Sequence, residues 1–151
     1  MTDKLFYYED VEPHDLKPHD ITYILKREEI DLMANTYDPA PFHLSDELAK
    51  KWGHPTVSAP GVLTEAICVK LLHDNLEPIA AIGLAGKELT LPTPFYPGEE
   101  VTLWSSMLDK RLSKSKPDRG IMRSRFILKT GAGNVVYDGI HTVLIYCRPK
   151  P

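Results

Sequence analysis

"SAPGVLTEAICVKLLHDN", Ser58 to Asn75, is the stretch on which the fold turns. Pro60 stands where a first helical turn would begin, a position at which its missing N–H costs nothing. From Val62 to Leu72 the apolar residues Val62, Leu63, Ala66, Ile67, Cys68, Val69, Leu71 and Leu72 cover most of a helix circumference. A helix apolar nearly all round is a buried helix, so something must be wrapped around it.

The wrapping lies downstream, where the chain changes in kind. "AAIGLAGKELTLPTPFYPGEEVTLWSSMLDKR", "GIMRSRFILKT" and "NVVYDGIHTVLIYCR" are rich in Val, Ile, Leu, Thr and aromatics. They are punctuated by "YPGEE", "SKSKPDRG" and "TGAGN", each a turn or loop signal. Three long strands in succession predict an antiparallel sheet, and a sheet that must bury one helix has to curl around it. The fold class expected is therefore α+β, an antiparallel sheet wrapped around a long buried central helix.

Upstream, Pro13 and Pro18 suggest an irregular lead-in, followed by "DITYILK", whose Ile21, Tyr23 and Leu25 alternate as in a strand. "REEIDLMANTYD" places Ile30, Met33, Ala34 and Tyr37 on one helical face, with Glu28, Glu29 and Asp31 in the first turn, where the helix dipole favours them. "SDELAKKWG" predicts a short helix capped by Ser45, with Leu48, Ala49 and Trp52 inward and Gly53 ending it.

Between these helices lies "YDPAPFHLSD", Tyr37 to Asp46. Pro39 ends the first helix, and with Pro41 it predicts a stiff, extended segment carrying Asp38 and His43. An acid–base pair on a rigid loop suits catalysis; an Asp-Pro turn, with Asp38 bonded to its own backbone, explains the aspartate equally well. Asp46 fits a second helix cap. His14, His19, His54 and His73 fall on polar or loop segments expected to be solvated, and His141 alternates along a strand as a packed or surface residue. No His and Cys spacing suggests a metal site, and no Gly-x-Ser-x-Gly nucleophile motif is present.

The 151 residues, 42% hydrophobic and 26% charged, predict a single domain spanning 1–151. A net charge of −3 argues against nucleic acid or an anionic membrane as partner. Cys68 and Cys147 sit in apolar runs and read as buried reduced thiols. With "MTDKLFYYEDVEPHD" charged from its third residue and no long apolar span, the expectation is a cytoplasmic protein.

In order, these segments resemble the MaoC-like dehydratases, also called (R)-specific enoyl-CoA hydratases, a hot-dog-fold family. Its motif runs Asp-x-Asn-Pro-aliphatic-His with a further acid beyond, and "DPAPFHLSD" supplies Asp38, Pro41, Phe42, His43 and Asp46 in register. "APGVLT" resembles the Ala-Ser-Gly start of the central helix, and "LPTPFYPGEEV" the Pro-x-x-Pro-Gly-Asp strand approach. "SKSKPDRGIMRSRF" and "GNVVYDGIHTVLIYCRP" resemble the third and closing strands, so the likeness runs from about Tyr23 to Pro149. Two positions depart from the pattern: the family's Asn is Ala40, and its Ser is Pro60.

The resemblance implies reversible hydration of a 2-enoyl-CoA to an (R)-3-hydroxyacyl-CoA within fatty acid metabolism. No cofactor is implied, the CoA thioester being the substrate, and the assembly implied is a homodimer with two sheets edge to edge and sites near the interface. Asp38 and His43 would hold one water, the imidazole as base and the carboxylate orienting it. The start of the central helix would hold the carbonyl oxygen through Gly61 N–H, helped by Val62 N–H. Lys114, Lys116 and Arg119 are candidates for the CoA phosphates, or simply charges that solubilise a hairpin. Phe42, Trp52, Leu63, Phe95 and Tyr96 are candidates for the pocket lining. A hot-dog thioesterase, using the same scaffold to hydrolyse the thioester, is a second reading. A catalytically degenerate subunit that binds acyl thioesters is a third, motivated by Ala40 and Pro60.

Overall fold

In the computed structural model, which describes residues 4–150, the strands form one antiparallel five-stranded sheet. In chain order the elements are a 3-10 turn (Tyr8–Asp10), β1 (His14–Ile24), α1 (Arg27–Thr36), α2 (Pro41–Leu44), α3 (Asp46–Lys51) and α4 (Gly61–Asn75). The strands β2 (Ala81–Thr90), β3 (Glu100–Leu112), β4 (Arg119–Thr130) and β5 (Val135–Tyr146) follow. The sheet order is β1-β3-β4-β5-β2, so the first two strands of the chain become its two edges.

The sheet curls around α4, which packs against β1, β3, β4 and β5. Ile67, Cys68 and Leu71 of α4 meet Leu103 of β3, Leu128 of β4 and Tyr137 of β5 in one continuous core. Leu71, Leu103 and Leu128 have no exposed surface, and burying each such side chain contributes about 1.5–3 kcal/mol. A smaller cluster of Ala80, Met107, Met122 and Ile145, covered by Tyr7, Tyr8 and Val11, packs apart from this core.

Several expectations need correction. Four long strands follow α4, because "YPGEE" splits the first apolar stretch: Gly98, at φ +85°, turns the chain into β3. The lead-in is not irregular. β1 begins at His14 and runs through Pro18, tolerated because β1 is an edge strand whose pairing with β3 slips between Pro18 and Thr22. The central helix is apolar all round but not buried all round. Val62 (52% exposed) and Val69 (37% exposed) lie on a face that this chain leaves open. Tyr37 and Trp52, expected inward, are exposed, each at a helix C-terminus where the helical period no longer constrains it. Cys147 is only half-buried, beyond the end of β5. Among the described residues no helix is long and apolar enough to cross a membrane.

Candidate active site

The segment carrying Asp38 and His43 is not extended throughout. Pro41 occupies the first position of the one-turn helix α2, where a proline's fixed φ is already helical. His43 is the third residue of that turn, its N–H bonded to the Ala40 carbonyl. Asp38 is held at the end of α1 by its own N–H, which donates to the Ala34 carbonyl at 3.2 Å. Pro39 and Pro41 thus set a fixed angle between two helix ends, and that angle turns the two side chains toward each other. Asp38 Oδ2 lies 3.6 Å from His43 Nε2, with the imidazole 7% exposed and the carboxylate 40% exposed.

The imidazole is oriented from behind. His43 Nδ1 is 2.7 Å from the Ser58 carbonyl oxygen, and because that oxygen can only accept, Nδ1 carries a proton, which leaves Nε2 as the lone-pair nitrogen of the neutral imidazole. The Phe42 ring meets the imidazole edge-on at 4.5 Å. In that neutral form Nε2 and the carboxylate oxygen are both acceptors with no hydrogen to share between them, and one water can donate a hydrogen to each.

His43 lines an open cavity of about 260 Å³ together with Ser58, Gly61, Phe42, Phe95 and Leu91, among others, and Asp38 stands behind it at 3.6 Å from the imidazole without lining the cavity itself. Its inner wall is the start of α4. Pro60 is the residue just outside the helix rather than inside it, and Gly61 is the first helical residue. Gly61 lines the cavity, and its N–H has no acceptor among the described residues. Such orphan N–H groups at the positive end of a helix favour negative charge. A methyl group added at Gly61 would lie 2.8 Å from Leu91 Cδ1, so the approach is tight as well as polar. The far wall is tied down by Ala59 N–H bonding to Phe95 O and by Thr93 Oγ1 bonding to Val135 O.

Asp46 serves neither as a second cap nor at the cavity. Its carboxylate accepts from Thr56 Oγ1 at 2.6 Å, Val57 N–H at 3.0 Å and the Arg27 guanidinium at 3.1 Å. These donors, Thr56 first, hold its carboxyl down at about 2. It therefore clasps α1 to the strand-like segment that delivers Ser58 and Gly61. Ser45, as expected, caps α3 through Oγ and Leu48 N–H.

Other expected residues fall elsewhere. Val62 has its N–H in the same first turn as Gly61, but it does not line the cavity. Lys114, Lys116 and Arg119 lie at the β3–β4 turn, whereas the cavity is lined from α2, the start of α4, the segment between β2 and β3, and Val136 of β5. None of the three lines the cavity. Arg119 is already engaged by Asp118 and lies over the Tyr146 ring. Of the lining candidates, Phe42 and Phe95 face the cavity and Trp52, Leu63 and Tyr96 do not.

His54 and His19 are not simply solvated. His54 lines the cavity and its Nδ1 meets Tyr96 OH at 3.1 Å, while His19 Nε2 meets Ser105 Oγ at 2.7 Å. His141 is packed, its Nε2 2.7 Å from the hydroxyl of buried Tyr137. No group of three or more His, Cys, Asp or Glu among the described residues is placed to hold a metal ion.

No family model matches the chain, and no curated protein matches it by sequence. Solved structures do. A MaoC-like dehydratase from Rhodospirillum rubrum superposes with a TM-score of 0.86 at 32% identity, covering 96% of this chain and 99% of that one. The R-hydratase PhaJ1 of Pseudomonas aeruginosa gives 0.75 at 20% identity, covering 95% and 88%. An (R)-hydratase from A. caviae involved in PHA biosynthesis gives 0.70 at 21% identity, covering 89% and 97%. The last two speak for the hot-dog fold, and the first, at its identity and coverage, for the family as well. At 32% identity over nearly the whole of both chains, the chain belongs to the MaoC-like dehydratase family.

Proposed function

We propose that the protein is a hydratase/dehydratase that interconverts a 2-enoyl-CoA and the (R)-3-hydroxyacyl-CoA, without a cofactor. The observation that carries the reading is the pairing of Asp38 Oδ2 and His43 Nε2 at 3.6 Å beside an unpaired helix N-terminus. In the hydration direction one water gives a hydrogen bond to each of the two groups. As its oxygen attacks the β-carbon, Nε2 takes a proton and the π electrons move to the α-carbon and the thioester oxygen. Gly61 N–H holds the oxygen as charge gathers on it. Transfer of a proton to the α-carbon from the Asp38–His43 pair restores the neutral thioester and the free site. Dehydration is the same path reversed. The (R) configuration comes to this chain from its resemblance to the named (R)-hydratases.

The working unit is proposed to be a homodimer, in a cytoplasmic setting. Edge strand β2 pairs only with β5 and exposes Leu84 and Leu89. The Lys87–Glu65 ion pair sets the open face of α4 beside that edge. An apolar, unpaired sheet edge next to an apolar helix face is a surface that a second copy would cover.

The test is a series of trans-2-enoyl-CoAs of increasing length, followed at the enoyl absorbance with a thiol reagent present. Loss of absorbance without thiol release supports hydration. Thiol release points to a thioesterase, and tight binding with neither change points to a degenerate acyl-thioester-binding subunit.

A further inference from the structure

We infer that the Ser58 hydroxyl is a second hydrogen-bond donor to the substrate's thioester carbonyl, acting beside Gly61 N–H. The inference rests on the proposed hydratase reading. Ser58 is 4% exposed and lines the cavity. Its backbone is fully committed: the N–H donates to the Phe42 carbonyl at 3.2 Å, and the carbonyl receives His43 Nδ1–H at 2.7 Å. Its hydroxyl has no hydrogen-bond partner among the described residues. Yet no fully enclosed side-chain N or O atom there lacks a partner, so this hydroxyl opens onto the cavity. Two other hydroxyls line the same cavity, and both are spent on backbone carbonyls: Thr64 Oγ1 on Pro60 O and Thr93 Oγ1 on Val135 O. Ser58 alone among the three keeps its hydroxyl free to donate to whatever occupies the cavity.

The chemistry decides which ligand atom that is. The water between Asp38 and His43 gives both hydrogens to acceptors and must keep its oxygen lone pair for attack, so a donor aimed at it would oppose the reaction. The thioester oxygen needs donors: it has two lone pairs and gains charge in the transition state. Pro60, just ahead of Gly61, has no N–H to offer. The hydroxyl two residues upstream, on the segment clasped by Asp46, fills that vacancy.

The probe is butyryl-CoA labelled with ¹³C at the carbonyl, which binds but cannot be hydrated, read by isotope-edited infrared difference spectroscopy. Two donors should lower the bound carbonyl stretch relative to free thioester. Ser58→Ala should return part of that shift with thermal stability unchanged, and Ser58→Cys, a weaker donor, should fall between. On crotonyl-CoA, Ser58→Ala should lower kcat by about 10²–10³-fold, with little change in KM. A carbonyl stretch identical in wild type and Ser58→Ala overturns the donor while leaving the hydratase reading intact. A lowered stretch that Ser58→Ala restores, in a wild type without turnover, keeps the donor and overturns hydration. Failure of the wild type to bind any thioester overturns both.

Discussion

Gly61→Ala is the substitution for which structure separates activity from stability most cleanly. The added methyl would sit 2.8 Å from Leu91 Cδ1, and carbon atoms prefer about 3.5–4.0 Å, so Leu91 must yield by about 1 Å. It can, because the contact is the far end of a side chain that is 43% exposed. Moving it off its rotamer costs about 0.5–1.5 kcal/mol, offset by the roughly 0.5–1 kcal/mol that Ala gains over Gly in a helix. The net change in stability should stay within about 1 kcal/mol, or some 2–4 °C in Tm for a chain of this size. Activity has no such offset. The methyl and the displaced Leu91 crowd the one approach to Gly61 N–H, and losing such a donor typically costs about 10²–10³ in kcat, or about 2.7–4 kcal/mol. The assay is hydration of crotonyl-CoA beside a thermal melt. A variant that melts normally and retains kcat/KM within about threefold of wild type refutes the placement of the thioester carbonyl at the helix start.

Two further predictions concern acid sensitivity. Asp46, held at about 2 by Thr56, Val57 and Arg27, is depressed below the usual carboxylate value near 4. Its contribution is therefore complete above about pH 4 and lost as pH falls through about 2. Asp46→Asn should lower Tm at neutral pH, flatten that acid limb of a Tm-versus-pH curve, and reduce turnover by loosening the segment that bears Ser58 and Gly61. His141 is held down at about 4 chiefly by burial, with the Lys87 charge adding and Glu65 opposing. An unfolded histidine protonates near 6.5, so stability should be complete above that pH and decline as pH falls toward about 4. His141→Gln, which can still bond Tyr137 OH but does not titrate, should remove the decline between those pH values. An unchanged slope would show that His141 is not its source.

The fold was legible because its main elements obey simple periodicities. The uninterrupted apolar stretch from Val62 to Leu72 marked the central helix, and the β-rich runs with turn signals between them marked the sheet. What was not legible depended on contacts far apart in sequence. Pro18 lies within β1 because β1 is an edge strand, a property of sheet order that no local window contains. Val62 and Val69 are exposed because the sheet covers only part of the helix they share with Leu71. At the site, Asp38 and His43 could be named from one short motif, because the prolines around them fix their spacing. Ser58 could not. Its importance comes from a carbonyl aimed at an imidazole 15 residues away and a hydroxyl left unpaired, neither of which leaves a mark in composition. The Lys114 to Arg119 cluster was the opposite case, conspicuous as sequence but placed at the β3–β4 turn, outside the cavity lining.

The claim at the centre is that Asp38 and His43 act as one unit on one water, and a double-mutant cycle tests it most directly. Asp38→Asn removes the carboxylate, and His43→Asn removes Nε2 while its amide can still donate to the Ser58 carbonyl. Hydration of crotonyl-CoA should fall by about 10²–10⁴ in each single variant, and the double variant should fall scarcely further, because groups that work as a unit lose together. Full activity in either folded single variant, or losses that simply multiply in the double, would contradict it.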